Sequence, residues 1–262
     1  MKVASTGLVY VKATRFLQPS SVMVDEDGIR HDRMFALLEA DGKFVNSDQH
    51  RTFMPLRFDY DAANERLSLE LPGGERVDGP AAGDGVPLQV DHFGLREIGL
   101  QKVAGPWQQA LSDFAGRPIS LVRCLSRLRA IDVFPVTVVT TGALARLARE
   151  VGEPVDPARF RAGFIIEANE EHAEDGWDGK HLRLGEVLLR IRTSVPRCAV
   201  TGFNPGSGAR DQDVMRALIR YRDKVTLPDN LMPSYSTPGF ASYAEVLEPG
   251  RVAVGDPVSL AP

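Results

Sequence analysis

Short apolar segments separated by turn dipeptides dominate the first ninety residues, and they limit the folds that the chain can adopt. Asp-Gly at 27–28 and 41–42 and Gly-Gly at 73–74 supply the positive φ angles that tight hairpins need. We predict strands at Lys2–Val11, Ser21–Val24, Met34–Glu39, Leu56–Tyr60, Arg66–Leu71 and Pro87–Asp91. Many short strands of this kind predict a small barrel or sandwich, with a long exposed loop over the Gly- and Pro-rich stretch Leu71–Pro87.

Helical patterns occur after this region, where they alternate with further strands. Pro106–Ala115 has proline in its first turn and Gly116 just past its end, as is typical of a helix. Thr140 and Thr141 precede a helical run at 144–151, and another helix is predicted from Asp211 to Arg222. Further strands are predicted at Ile119–Arg123, Val136–Val139, Phe164–Glu167, Val187–Arg192, Tyr243–Leu247 and Arg251–Leu260. The pattern predicts a mostly β (α+β) chain of two domains, residues 1–95 and 96–262.

Charge, cysteine content and missing motifs exclude several classes of protein. With 31 basic and 35 acidic residues, the net charge of -4 makes nucleic acid an unlikely partner. The two cysteines, Cys124 and Cys198, form no CxxC pair, which argues against a disulfide framework or a structural zinc site. The chain has no signal-peptide h-region and no apolar run of about 20 residues, so we expect a cytoplasmic protein without a membrane partner. Dinucleotide and P-loop fingerprints and a nucleophile elbow are also absent from the sequence.

The most informative segment runs from Val195 to Asp211, where a strand leads into Arg197 and Cys198 and then into a Gly-, Pro- and Asn-rich loop. A thiolate binds soft metals, and we expect the neighbouring arginine to lower the pKa of the thiol. A loop followed by a helix start is suited to anionic groups. The plainer interpretation is a buried structural cysteine beside an ordinary turn.

The segment resembles the Arg-Cys-x-x-Thr motif of the MOSC family, in which the cysteine is a molybdenum ligand. Five further segments resemble blocks of that family in the same order: Tyr10–Lys12, Asp25–Phe35, Arg159–Phe164, Glu174–Gly179 and Ala244–Asp256. Each block is weak alone, but six in order over nearly the whole chain make the resemblance specific. It implies a small N-terminal β-barrel domain followed by a MOSC β-barrel domain with flanking helices.

The resemblance also implies a molybdenum–molybdopterin cofactor, with Cys198 as the metal ligand and catalytic residue. The residues that it places at the cofactor are Lys12, Arg30, His31, Thr140, Thr141, Arg161, Arg197 and Cys198. We expect a molybdenum-dependent oxidoreductase that removes oxygen from small N-hydroxylated or N-oxide substrates, with electrons supplied by a separate protein. Two alternatives are a carrier that delivers the cofactor or sulfur to another enzyme, and a scaffold that has lost the cofactor. No pyridoxal-phosphate domain is present in the sequence, so a complete cofactor sulfurase is not expected.

Several residues depart from the family pattern or have plainer interpretations. Ala13 follows Lys12 in place of serine, Gly163 stands where asparagine is common, and Asn204 and Ser207 replace aspartate and threonine. Structural roles that stay open are helix caps for Thr140, Thr141 and Asp211, an ion pair for Asp32 and Arg33, core packing for Cys124 and Trp177, and exposed surface positions for His31 and the basic residues. The departures favour the carrier alternative, because they remove polar contacts to a cofactor.

Overall fold

The structure, a computed structural model, describes residues 1–227, 231 and 235–261. Strands account for 42% of it and helices for 17%, which confirms the mostly β prediction. The strands of the first half are β1 (Lys2–Thr6), β2 (Ser21–Asp25), β3 (Gly28–Ile29), β4 (Phe35–Glu39), β5 (Arg57–Asp61), β6 (Arg66–Glu70), β7 (Arg76–Pro80), β8 (Gly83–His92), β9 (Arg96–Val103) and β10 (Ile119–Cys124). Those of the second half are β11 (Val136–Thr140), β12 (Phe164–Glu167), β13 (His181–Leu184), β14 (Val187–Pro196), β15 (Lys224–Val225), β16 (Thr237–Glu248), β17 (Gly250–Ala253) and β18 (Val258–Ala261).

The largest sheet forms a nearly closed barrel in the order β1-β12-β11-β16-β14-β13-β18. Backbone hydrogen bonds join its two ends, since the amides of Val3 and Gly255 donate to the carbonyls of Asp256 and Val3 at 3.0 and 2.8 Å. Apolar side chains alternate inward along these strands and fill the interior, among them Phe164, Leu182 and Ile191, which are all fully buried. The first strand of the chain therefore completes a barrel that is otherwise built from the second half.

Three smaller sheets complete the β structure of the described residues: β4-β10-β9-β8, β5-β6-β7 and β17-β2-β3. The predicted turns are confirmed, because Gly28, Gly42 and Gly74 all have positive φ, at 106°, 82° and 84°. The prediction of a loop over Leu71–Pro87 is wrong, since β7 and the start of β8 lie there. Glycine is needed within β7 because a side chain at Gly79 would meet the ring of Trp107 at 2.8 Å.

Three α-helices are described, α1 (Trp107–Ala115), α2 (Thr141–Val151) and α3 (Val214–Tyr221). The first and third lie within the segments predicted to be helical, whereas α2 begins three residues before its predicted segment, 144–151. Gly116 ends α1 in the left-handed conformation with φ 65°, as predicted. No helix among the described residues is long and apolar enough to cross a membrane.

The predicted division at residue 95/96 lies in the short connection between β8 and β9, which pair with each other. Beyond it, α1 and β10 contribute Trp107, Leu111 and Leu121 to a core that they share with Phe35 and Phe58. The side chains of this core therefore come from both sides of the predicted boundary, and the division into two domains stays a prediction.

Candidate functional site

A cavity of about 510 Å³ lies between the barrel and the smaller sheets. Segments of the first half line it with residues 7, 12–13, 29, 32–33, 46–49, 93 and 95. Segments of the second half line it with residues 131–137, 159–161, 163, 195–198, 200–201, 227, 235 and 243. The volume lies within the range of small-molecule and cofactor sites. Four of the eight predicted site residues, Lys12, Arg161, Arg197 and Cys198, meet at this cavity.

Cys198 follows β14 and precedes a 3-10 helix at Ala199–Gly202. Its side chain is exposed, but to the cavity, and the Thr201 hydroxyl donates to its carbonyl at 3.1 Å. Burial beside the cavity wall raises the pKa of the thiol, and the opposing effects of the Val200 amide and of Arg197 are smaller. Arg197 does lower this pKa, as expected, but desolvation outweighs the neighbouring charge and the net shift is upward.

Cys124 is the contrasting case, since it is buried in β10 and its thiol donates to the Arg33 carbonyl at 3.7 Å. Burial raises its pKa to about 12. Core packing, the role predicted for Cys124, is confirmed.

Arg197 is buried beside Cys198 and is held by two backbone carbonyls. Its Nε donates to Phe240 at 2.8 Å and its Nη1 to Phe160 at 3.2 Å, with the guanidinium over the Phe160 ring. The remaining nitrogen, Nη2, is buried and has no partner among the described residues. Burial lowers the pKa of Arg197 to about 10, so the cavity wall carries a charge that the protein does not neutralise.

Arg161 lies at the end of a 3-10 helix, Pro157–Phe160, with the left-handed φ of 50°. Its Nη2 donates to the Thr14 carbonyl at 2.8 Å, and its guanidinium lies 5.7 Å from the centre of the Phe16 ring. Burial lowers its pKa to about 10. Ala13 and Arg33, also on the cavity wall, share the left-handed backbone with φ of 70° and 49°. Strained backbone of this kind clusters at ligand sites.

Lys12 also lines the cavity, where its ammonium forms an ion pair with Asp132 and donates to the Ala130 carbonyl at 3.3 Å. Burial lowers the pKa of Lys12, against the opposing effect of Asp132. Burial disfavours the ionised form of Asp132 as well, but Lys12 and Arg33 outweigh it and hold the pKa of the carboxyl at about 2. The carboxyl of Asp132 is therefore ionised at neutral pH.

Arg30 and His31 are not among the residues that line the cavity. Arg30 is exposed, and the half-buried ring of His31 packs edge-on against Tyr60 at 5.1 Å. From the same block, Asp32 and Arg33 line the cavity instead. Asp32 accepts from the Val9 amide at 2.8 Å and pairs with Arg33, which confirms the predicted ion pair.

Thr140 and Thr141 lie at the start of α2, away from the cavity lining. Thr140 is the N-cap, and its hydroxyl accepts from the Ala143 amide at 3.1 Å and donates to the buried carboxyl of Glu174 at 2.5 Å. Thr141 exchanges hydrogen bonds with the backbone of Ala168. The capping role predicted for Thr140 is thus confirmed.

Arg159 was not predicted to be a site residue, although it belongs to the block that contains Arg161. It lines the cavity and donates to Asp211 at 2.7 Å, and Asp211 also accepts from the Asn204 amide at 2.8 Å. Asp211 is therefore not the cap of α3, and that prediction is wrong because Asp213 occupies the cap position. The side-chain amide of Asn204 can donate a hydrogen bond to Asp211, whereas an ionised aspartate at position 204 could not.

Gly163, another departure from the family pattern, also lines the cavity. A side chain at this position would place its Cβ 2.7 Å from Cδ1 of Ile29. Ile29 therefore fills the space that asparagine would need, and the wall is apolar there.

Five cationic and three acidic side chains line the cavity, so its charge favours an anionic ligand. The cations are Lys12, Arg33, Arg159, Arg161 and Arg197, and the acids are Asp32, Asp48 and Asp132. Among the described residues, no group of three or more His, Cys, Asp or Glu side chains is arranged to hold a metal ion. A metal bound to Cys198 would therefore need most of its ligands from a cofactor.

Comparisons with known proteins agree with the sequence resemblance. Residues 126–259 match the MOSC domain family. A human protein named mitochondrial amidoxime-reducing component 1 is 28% identical over 141 residues, which are 53% of this chain and 41% of that protein. A zebrafish (Danio rerio) protein named molybdenum cofactor sulfurase is 21% identical over 258 residues, covering 82% of this chain and 30% of that protein. The matched regions thus span less than half of either relative. The solved structure of the YuaD protein from Bacillus subtilis covers 99% of this chain and 94% of its own, with 12% identity and a TM-score of 0.44, from which we draw no conclusion.

Proposed function

Because the chain belongs to the MOSC domain family, we propose that its cavity binds a molybdenum–pterin cofactor, with the Cys198 thiolate as the protein ligand of the molybdenum. The observation that carries the proposal is the combination of an accessible thiol with the unpartnered, buried Nη2 of Arg197 on one cavity wall. A soft thiolate suits molybdenum, and a buried guanidinium with one nitrogen that has no partner among the described residues suits an anionic oxygen. The cysteine and the phosphate site that such a cofactor needs are thus both available.

The other cations would hold the anionic part of the cofactor. Arg161 and Arg33 have the planar guanidinium that donates two hydrogen bonds to a phosphate, and Lys12 offers a point charge. Arg161 is fixed by the Thr14 carbonyl and Arg33 by Asp32, so neither has to be ordered when the ligand arrives.

The reaction that we propose is the removal of oxygen from an N-hydroxylated compound, as the names of the amidoxime-reducing relatives suggest. When bound, the molybdenum would supply the two-electron redox chemistry of this step. The aromatic side chains of Phe93, Phe134, Tyr235 and Tyr243 line the same cavity and would pack against the apolar body of the substrate and exclude water. Electrons would come from a separate protein.

Molybdenum analysis of the purified protein tests the binding proposal. We expect one molybdenum atom per chain in the wild-type protein, and its loss in Cys198→Ser. Cys124→Ala is the matched control, since it removes the other thiol from a position in the core. Equal molybdenum contents in the wild type and in Cys198→Ser would contradict the proposal.

Catalysis is tested separately, by supplying the molybdenum-loaded protein with a chemical reductant and an amidoxime. The alternative is a carrier, which Ala13 favours because it lines the cavity beside Lys12 without a polar side chain. Loaded protein that fails to reduce the amidoxime but passes its molybdenum to a molybdenum-free acceptor enzyme would establish the carrier instead.

A further inference from the structure

A buried histidine without hydrogen bonds lies beside the cavity. His92 is 1% exposed, and neither of its ring nitrogens has a partner among the described residues. The rings of Phe44 and Phe93 enclose it, with centroid distances of 5.2 and 4.6 Å. A buried polar group without a partner destabilises the folded protein, so it calls for an explanation, such as a partner that it gains in another state of the molecule.

The nearest acid is Asp132, whose Oδ1 lies 3.7 Å from Nε2 of His92, just beyond hydrogen-bond distance. The same oxygen forms the ion pair with Lys12. The backbone at this point is held by Arg96, which donates to the carbonyls of Ile131 and Asp132. The side chain of Asp132 is 53% exposed within the cavity, so the carboxylate is free to turn between an ammonium and an imidazole while its backbone stays in place.

We propose that Asp132 is shared between Lys12 and His92, and that it turns to His92 and strengthens proton binding by the imidazole when an anionic group of the cofactor binds Lys12. This inference rests on the proposed function, since the anionic group is the phosphate of that cofactor. With the anionic group bound, His92 would take up a proton from solvent at a higher pH than it does in the cofactor-free protein.

The charges around His92 support this exchange. Among the described residues, the charges with the largest effect on the imidazole are three cations, Lys12, Arg33 and Arg96, and one acid, Asp132. Burial first, and then Lys12, lower the pKa of His92 to about 3, so the ring is neutral at physiological pH. An anion at Lys12 cancels the larger of the repulsive charges and releases Asp132. Both changes favour the protonated ring, because an opposite charge within hydrogen-bond distance favours the charged form.

The test uses the cofactor-free protein, in which Lys12→Met removes the ammonium that competes for Asp132. The imidazole of His92 is followed by NMR titration of histidine-labelled protein, and its signal is assigned by comparison with His92→Gln. In the wild-type protein we expect the midpoint of His92 to lie near pH 3, with no titration between pH 4 and 8. In Lys12→Met we expect its midpoint to rise by about 1 to 3 pH units, the effect of one charge exchanged at close range.

Two controls separate this exchange from a general change in structure. Lys12→Arg retains the positive charge, so His92 should behave as in the wild type. Adding Asp132→Asn to Lys12→Met should move the midpoint back down, while the remote His172 is unaffected in every variant. Should Lys12→Met fail to fold, Lys12→Gln removes the charge but retains a donor to the Ala130 carbonyl.

An unchanged His92 titration in the charge-removing variants overturns the inference. If the wild-type protein nevertheless binds molybdenum through Cys198, only the inference has failed. If His92 responds as expected but no molybdenum binds, the exchange at Asp132 exists and the proposed function has failed.

Discussion

The contact between Gly163 and Ile29 gives a prediction whose size follows from the structure. In Gly163→Ala the new Cβ would lie 2.7 Å from Ile29 Cδ1, whereas the next atom, the Thr137 carbonyl oxygen, is 3.6 Å away. Ile29 is 2% exposed and packs among the buried side chains of the barrel core, so displacing its Cδ1 disturbs that packing. We expect this overpacking to lower the free energy of unfolding by about 1 to 3 kcal/mol.

Ile29→Val removes Cδ1 itself, at a cost of about 0.5 to 1.5 kcal/mol. In that background Gly163→Ala no longer meets an obstacle, and it should stabilise the protein by about 0.4 to 1 kcal/mol through its effect on the unfolded chain. Urea unfolding of the wild type, the two single variants and the double variant measures the coupling free energy between positions 29 and 163, which we expect to be at least about 1 kcal/mol. Gly176→Ala is the control, because no atom lies within 4 Å of its new Cβ. Additive effects of the two substitutions would refute the conclusion that Ile29 fills the space beside Gly163.

Two further predictions concern the α2 cap and a half-buried histidine, His172. Thr140→Ala removes the N-cap and the hydroxyl that donates to Glu174, so it should lower the free energy of unfolding by about 1 to 3 kcal/mol. Thr140→Ser keeps a hydroxyl and should retain most of the wild-type stability. Equal stability of the two variants in urea would contradict this prediction. For His172, burial first and then Arg222 lower the pKa to about 4, below its ordinary value of 6.5, so the unfolded chain binds the proton more tightly. The wild-type protein should therefore lose stability as the pH falls from 6.5 to about 4, and urea unfolding of His172→Phe over that range should show a smaller loss.

The parts of the fold that could be predicted from the sequence depend on local physics. The turns at Gly28, Gly42 and Gly74 needed only the preference of glycine for positive φ, and the caps at Thr140 and Gly116 only the geometry of a helix end. These preferences act over a few residues and require no knowledge of the partner strands. The pattern around Cys198 was informative for the same reason, because strand, thiol and loop are contiguous in sequence.

What could not be predicted depends on contacts between distant segments. No local pattern distinguishes Arg33 from Arg30 as a cavity residue. Arg33 lines the cavity and has a left-handed φ of 49°, which a non-glycine residue does not signal in the sequence. Asp132 carried no motif, and it was identified only through its ion pair with Lys12, 120 residues away. Strand β7 was missed because its Gly79 resembles a loop residue, although it is the close approach of Trp107 that requires glycine there.

The raised pKa of Cys198 and the lowered pKa values of Arg161 and Arg197 have one cause, since burial opposes charge of either sign. Arg197 beside the thiol thus fails to ionise it, and the thiol keeps its proton at neutral pH until a ligand displaces it. The same burial leaves the arginine charges poorly solvated. Water therefore weakens the attraction between these charges and an anion less than it would at the protein surface. Under the proposed function, such a site would discriminate by requiring both groups at once, since an anion alone would leave the thiol protonated and a metal alone would leave the arginines without a counter-charge. A ligand that carries a soft metal and an anionic group on one rigid framework would satisfy the thiol and the arginines together. Its binding would add to the stability of the folded chain, because the unfolded chain does not assemble these groups.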